Sequence, residues 1–170
     1  QIFNLRQIRP IIDNQDNRPI DWSKVDVSDA LVYGQNALGI GMMGDIADII
    51  YIKSNTFDSL STEKIAEELL EFNNRMQDEK RSYILVGPGR WGSSDPFLGT
   101  HFFQNVTSLG VGYLTINPFR GDGIFREGEL DGRRAVYEGT FLRQVRFEKP
   151  LWVCIDGRSN KGIVKEEGDK

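Results

Sequence analysis

Gly87, Pro88, Gly89, Arg90, Trp91 and Gly92 follow the run YILV directly and spell G-x-G-x-x-G. In a tight turn, that spacing lets backbone amides approach a phosphate. The dinucleotide-binding version of the motif needs a helix opening at the third glycine. Here SSDPFLG follows, Pro96 breaks a helix early, and the apolar spacing is not helical. A dinucleotide fold is therefore rejected. What remains is a glycine loop with Arg90, Ser93 and Ser94 at hand, donors suited to a phosphate or carboxylate held by a guanidinium fork and main-chain amides. The same residues also suit a sharp turn with Trp91 packed into the core.

The single histidine, His101, lies in THFFQN between a hydroxyl residue and two phenylalanines. Imidazole titrates near neutrality, so general acid/base work, phosphoryl transfer or anion binding are open to it, alongside a hydrogen-bonded core position. Asn105 shares a face with His101 if the segment is helical. The segment NALGIGMMGD, with glycines at 39, 41 and 44, suits a backbone cradle or a bulged turn. Ser23, Ser28 and Ser108 have no base nearby in sequence, so a nucleophilic triad is unsupported. One His and one Cys, Cys154, nearly exclude a zinc site of nitrogen and sulfur ligands, and no metal site is expected.

These candidates need elements to position them. Gln1 to Pro10 alternates Ile2, Leu5 and Ile8 with polar residues and stops at a proline, which predicts a terminal strand. Ala30 to Tyr33 and Ile46 to Lys53 are further strand candidates. A helix is predicted from about Thr62 to Lys80, because Ile65, Leu69, Phe72 and Met76 fall on one face. Ser61 is placed to cap it, and Glu67, Glu68 and Glu71 read as its solvated face. Tyr83 to Val86 predicts a buried strand. Strands are also expected at Val111 to Ile116, Ala135 to Tyr137, Leu142 to Phe147 and Leu151 to Ile155, the last pairing with Ile163 and Val164 in a hairpin. Arg120, Asp122, Arg126, Arg133 and Arg134 read as an exposed loop. The fold class expected is α+β, mostly antiparallel sheet with one long amphipathic helix laid across it and a second short helix around His101.

The chain has 170 residues with 39% hydrophobic and 27% charged, enough for one domain's core. A net charge of -4 has the wrong sign for general nucleic-acid binding. The longest apolar-rich run, Ala37 to Ile52, contains Asp45 and Asp48 and is too short to span a bilayer. A lone cysteine and no secretory leader make a cytoplasmic location the expectation, and a homo-oligomer is compatible with the composition.

Three blocks together, ILVGPGRWGSSDPFLG, THFFQNVTSLGVGYLTINPF and LWVCIDGRSNKGIV, resemble the C-terminal region of bacterial phosphoenolpyruvate synthase and pyruvate phosphate dikinase-like proteins, of the PEP/pyruvate-binding, ATP-grasp family. The N-terminal QIRPI is similar to the last strand of that family's ATP-grasp domain, which carries Gln-x-Arg. The resemblance implies that Gln7 and Arg9 are nucleotide-facing, that residues 1–10 end an ATP-grasp domain, and that 11–170 form an accessory C-terminal domain. In the family a further segment separates D-P-x-L-G from T-H-F-F, so residues are expected to be missing between Gly99 and Thr100. The chain lacks the Thr-Ser-His phosphohistidine signature and the pyruvate-binding barrel. A complete phosphotransfer cycle is thus not encoded, and Mg-ATP is expected only for the parent kinase or transferase. Two functions follow as expectations. One is a domain that binds a small anionic ligand through Gly87, Gly89, Arg90, Gly92, Ser93, Ser94 and Asn105, with His101 as the weak catalytic candidate. The other is an interaction domain that docks the ATP-grasp unit or a second protomer without any ligand.

Overall fold

A computed structural model of the chain describes residues 22–34, 40–43, 46–88, 90–91, 99–100, 112–116, 123–156 and 161–166. In these residues the strands are β1 (Val32–Gly34), β2 (Ile40–Met43), β3 (Asp48–Ile52), β4 (Ile84–Pro88), β5 (Arg90–Trp91), β6 (Gly99–Thr100), β7 (Gly112–Ile116), β8 (Gly123–Phe125), β9 (Ala135–Glu138), β10 (Leu142–Arg146), β11 (Leu151–Asp156) and β12 (Lys161–Glu166). The helices are α1 (Thr62–Asp78) and α2 (Glu127–Asp131). The class is α+β and mostly sheet.

Two five-stranded sheets carry the fold, in the orders β2-β11-β12-β1-β8 and β7-β4-β3-β10-β9. Every pairing in the first is antiparallel, including the expected β11–β12 hairpin with Cys154 opposite Ile163. The second sheet is mixed, within a fold whose described pairings are mostly antiparallel as expected. β3 pairs parallel with β4, and β4 parallel with β7, while β10 and β9 run antiparallel beside β3. The reason is the connection: parallel neighbours need a crossover, and α1 supplies it between β3 and β4.

Side chains alternate across the mixed sheet as period two requires. Ile49, Tyr51, Ile84, Val86 and Val145 join Leu31, Val32, Val153 and Val164 of the other sheet in one core cluster. Ile50, Ile52, Leu85 and Leu142 point the opposite way and pack with Ile65, Leu69, Phe72 and Met76 of α1. Both faces of the mixed sheet are therefore covered, which is why β3 is buried throughout. The outer face of the antiparallel sheet meets Trp22, Val25, Val27 and Ala30 through Cys154 and Ile163.

Two details of α1 differ from expectation. Ser61 stands at the N-cap position without a side-chain capping bond, and Asp58 instead accepts from the Leu60 amide in the preceding 3-10 turn. The helix ends two residues earlier than expected, at Asp78, in a Schellman arrangement. Lys80 at φ 57° takes the left-handed position, the Lys80 amide donates to Gln77 O and the Arg81 amide to Met76 O. The region read as an exposed arginine loop holds α2, and Arg126 is tied down by donating to the carbonyls of Ala30 (2.8 Å) and Ser28 (2.7 Å). The terminal strand over residues 1–10 and the helix around His101 lie outside the described residues.

Candidate functional site

Strands β3, β4 and β7 point the same way, so their C-terminal ends form one edge of the mixed sheet. In open sheets of parallel strands, ligands bind outside the carboxyl ends. β4 reaches this edge at Gly87, which is buried, and Pro88. The chain then forms β5 at Arg90 and Trp91, paired parallel with β6. β6, which contains the Gly99–Thr100 junction, lies against α1 and β4. Of the expected ligand residues, Gly87 and Arg90 thus follow one another at the edge. Gly89, Gly92, Ser93, Ser94, Asn105 and His101 lie outside the described residues, as do Gln7 and Arg9.

Lys53, the residue after β3, turns its side chain to the side of the sheet away from β4, towards β9 and β10. The β3–β4 register ends with Tyr51 opposite Val86, two residues before Lys53. Its ammonium donates to Gly139 O at 2.9 Å and lies 3.8 Å from Glu138 Oε1. Next in sequence, Ser54 gives its amide and hydroxyl to the Glu127 carboxylate at 3.1 and 2.6 Å, which pins the β3 exit to α2.

Glu68 corrects the reading of α1's acids as a purely solvated face. Its carboxylate accepts from the amides of Thr140, Phe141 and Leu142 at 2.8 to 3.1 Å. Successive backbone N–H groups converging on one point make an anion receptor, and here an acid from the same chain fills it. Glu67 and Glu71 are exposed, as expected. A sequence signal for the difference existed: Glu68 lies three residues after Ile65 and four before Phe72, on the flank of the buried stripe. Its partners, more than seventy residues away, left no such signal.

Between the sheets, a second polar cluster backs the edge. Tyr51, fully buried, donates its hydroxyl to Asp131 and accepts from Arg143 Nη1 at 3.1 Å. Burial, then the bond to Asp131, raises the Tyr51 hydroxyl's pKa above its ordinary value. Arg143 also donates to the carbonyls of Leu130 (2.6 Å) and Arg133 and pairs with Glu138 at 3.3 Å. With its donors taken up in this way, Arg143 braces α2 and β9 against β10, with no fork left to offer a ligand.

Among the described residues, no set of three or more His, Cys, Asp or Glu side chains is placed to hold a metal ion. Nor is any described helix long and apolar enough to cross a membrane. No family model, curated protein or solved structure matches the chain.

Proposed function

We propose that this chain is the accessory C-terminal domain of a cytoplasmic phosphotransferase of the phosphoenolpyruvate synthase or pyruvate phosphate dikinase-like kind, and that it binds a phosphate- or carboxylate-bearing ligand at the glycine loop after β4. The observation that carries the reading is the position of that loop. Gly87 and Pro88 end the middle strand of a parallel trio at its carboxyl edge, with Arg90 two residues beyond. Loop amides and a guanidinium at such an edge are the donors an oxyanion takes. In this reading α1 is the long amphipathic helix that backs the edge. The chain itself binds and senses; ATP chemistry belongs to the parent's ATP-grasp domain with its Mg-ATP.

Calorimetric titration of the chain with phosphate, phosphoenolpyruvate, pyruvate and Mg-ATP tests this. At least one of the anions binds, and Arg90→Ala weakens that binding by roughly tenfold or more, the worth of one charge-assisted contact. The variant's stability changes little, since side chains at loop edges contribute little to folding. Absence of binding to all four would overturn the reading in favour of a domain that only docks its parent.

A further inference from the structure

We propose that β9, the last strand of the mixed sheet, is the contact surface for a second copy of this chain, whose own β9 joins it antiparallel about a two-fold axis at Val136. This inference is independent of the anion-binding reading above.

β9 closes the order β7-β4-β3-β10-β9 and pairs, among the described residues, with β10 alone. An edge strand offers a further strand its row of unpaired amides and carbonyls. The register fixes which peptide groups those are. Gly139 N donates to Leu142 O across the hairpin, and Tyr137, two residues before, stands opposite Gln144. The alternation of an antiparallel ladder therefore points the peptide groups of Glu138 away from β10. The register then shifts between Gln144 and Val145, and Val145 pairs with Ala135. Val136 is thus the extra residue of a bulge, with no opposite number on β10.

The side chains make this edge complementary to itself. Arg134, Val136 and Glu138 are exposed, Val136 by 38%, while Ala135 and Tyr137 between them are half-buried. Charges on an edge strand ordinarily keep copies of a protein apart. Here a base and an acid stand two residues to either side of Val136, so reversing the strand about that residue sets Arg134 against Glu138 of the second copy at both ends of the pairing. Glu138 has an oxygen for this contact, because its described ion pairs, with Arg143 at 3.3 Å and Lys53 at 3.8 Å, both engage Oε1. Val136 meets its own counterpart on the axis. Ala135 comes opposite Tyr137 of the second copy, a small side chain beside a large ring, and that ring is backed in its own copy by Phe72 and Arg75 of α1. A two-fold contact requires each pairing to recur with the roles exchanged, and the reversed charge order of β9 meets that requirement.

The experiment is sedimentation equilibrium of the full chain at about 100 μM, where a micromolar dimer is populated. The expected result is twice the monomer mass of 19.3 kDa. Val136→Lys sets two like charges against each other on the axis, and Arg134→Glu sets acid against acid at both ends. Each weakens association by roughly tenfold or more, and circular dichroism shows each variant folded, since the substituted side chains are exposed. Val136→Cys tests the register itself. Residues opposite one another in a hydrogen-bonded antiparallel pair have Cα atoms about 5.5 Å apart, within the span of a disulfide. With oxidised glutathione as the oxidant, this variant becomes a covalent dimer that reductant separates, whereas the unaltered chain, whose Cys154 is buried, does not. A chain that stays monomeric at this concentration overturns the proposal. So does a dimer that survives both charge variants unchanged, or one that Val136→Cys fails to link, because either result places the contact elsewhere.

Discussion

The two edges of the mixed sheet each centre on a carboxylate, and the two acids are held in opposite ways. At the end where β3 begins, Asp48 is fully buried and surrounded by side-chain donors. Arg81 Nε donates at 2.8 Å, Arg146 Nε at 2.7 Å and Gln144 Nε2 at 3.0 Å, while Arg146 also reaches Glu79 at 2.7 Å. At the end where β3 finishes, Glu68 is held by backbone amides alone among its described hydrogen bonds. Guanidinium groups on Asp48 neutralise a buried charge and seal the edge, tying the turn after α1 to β3 and β10. Amides on Glu68 carry no net charge, so its described contacts include no ion pair. The first arrangement seals an edge with paired charges, and the second ties α1 to the β9–β10 turn through backbone amides.

Breaking each carboxylate separates the two roles. Asp48→Ala costs about 2 kcal/mol of stability, because three donors, the buried Gln144 amide among them, lose their acceptor while the part-exposed guanidinium groups recover water. Glu68→Gln costs about 1 kcal/mol, since part-exposed amides find water or the neutral amide oxygen instead. Urea unfolding of the two variants checks the order, and equal losses would erase the distinction between the edges. The cations around Asp48 behave consistently with closure: burial opposes the charge of Arg146, but its hydrogen bonds to Asp48 and Glu79 outweigh this and raise its pKa.

Alkaline titration extends the comparison to two buried groups elsewhere in the fold, Cys154 and Tyr51. Burial, and then the charge of Asp156, pushes the Cys154 thiol up from 9.0 to about 11. Burial raises the Tyr51 hydroxyl as well. In each case the unfolded chain releases its proton at lower pH than the folded one, so the folded state binds more protons between the two values. The thiol's contribution is intact below pH 9 and is lost as pH rises towards about 11. Denaturant melts at stepped pH should show stability falling across that window, and Cys154→Ala should flatten part of the fall.

The smallest effect expected lies at the turn that delivers Arg81 to Asp48. Lys80 sits in the left-handed region at φ 57°, where a side chain costs about 1 kcal/mol relative to glycine. Lys80→Gly should therefore raise stability by roughly that amount in thermal or urea melts.

Much of the fold was legible where local periodicity encodes it. The β11–β12 hairpin follows from two apolar runs around a turn-forming stretch, and the positions that α1 buries follow from Ile65, Leu69, Phe72 and Met76 recurring on one face. The strand β10 was legible in extent, but its alternation misled about exposure. Leu142, Arg143, Gln144 and Val145 are all buried, because α1 covers one face and the other sheet covers the opposite one. Gln144 carries the cost of that double cover, for its Oε1 has no partner among the described residues.

The candidate site was legible only as a motif. The glycine loop announced itself by spacing, whereas Lys53 and Glu68 looked like a strand end and a solvated acid. The sequence alone determined the class of the fold, the helix face and the chemistry the loop could offer, because these depend on neighbours within a few residues. Only the tertiary structure decided that β3, β4 and β7 run parallel, that Asp48 is sealed by Arg146 from 98 residues away, and that one glutamate of α1 is seated while its neighbours are not. Those outcomes depend on which distant backbone amides and guanidinium groups arrive at a carboxylate, and no local period records that.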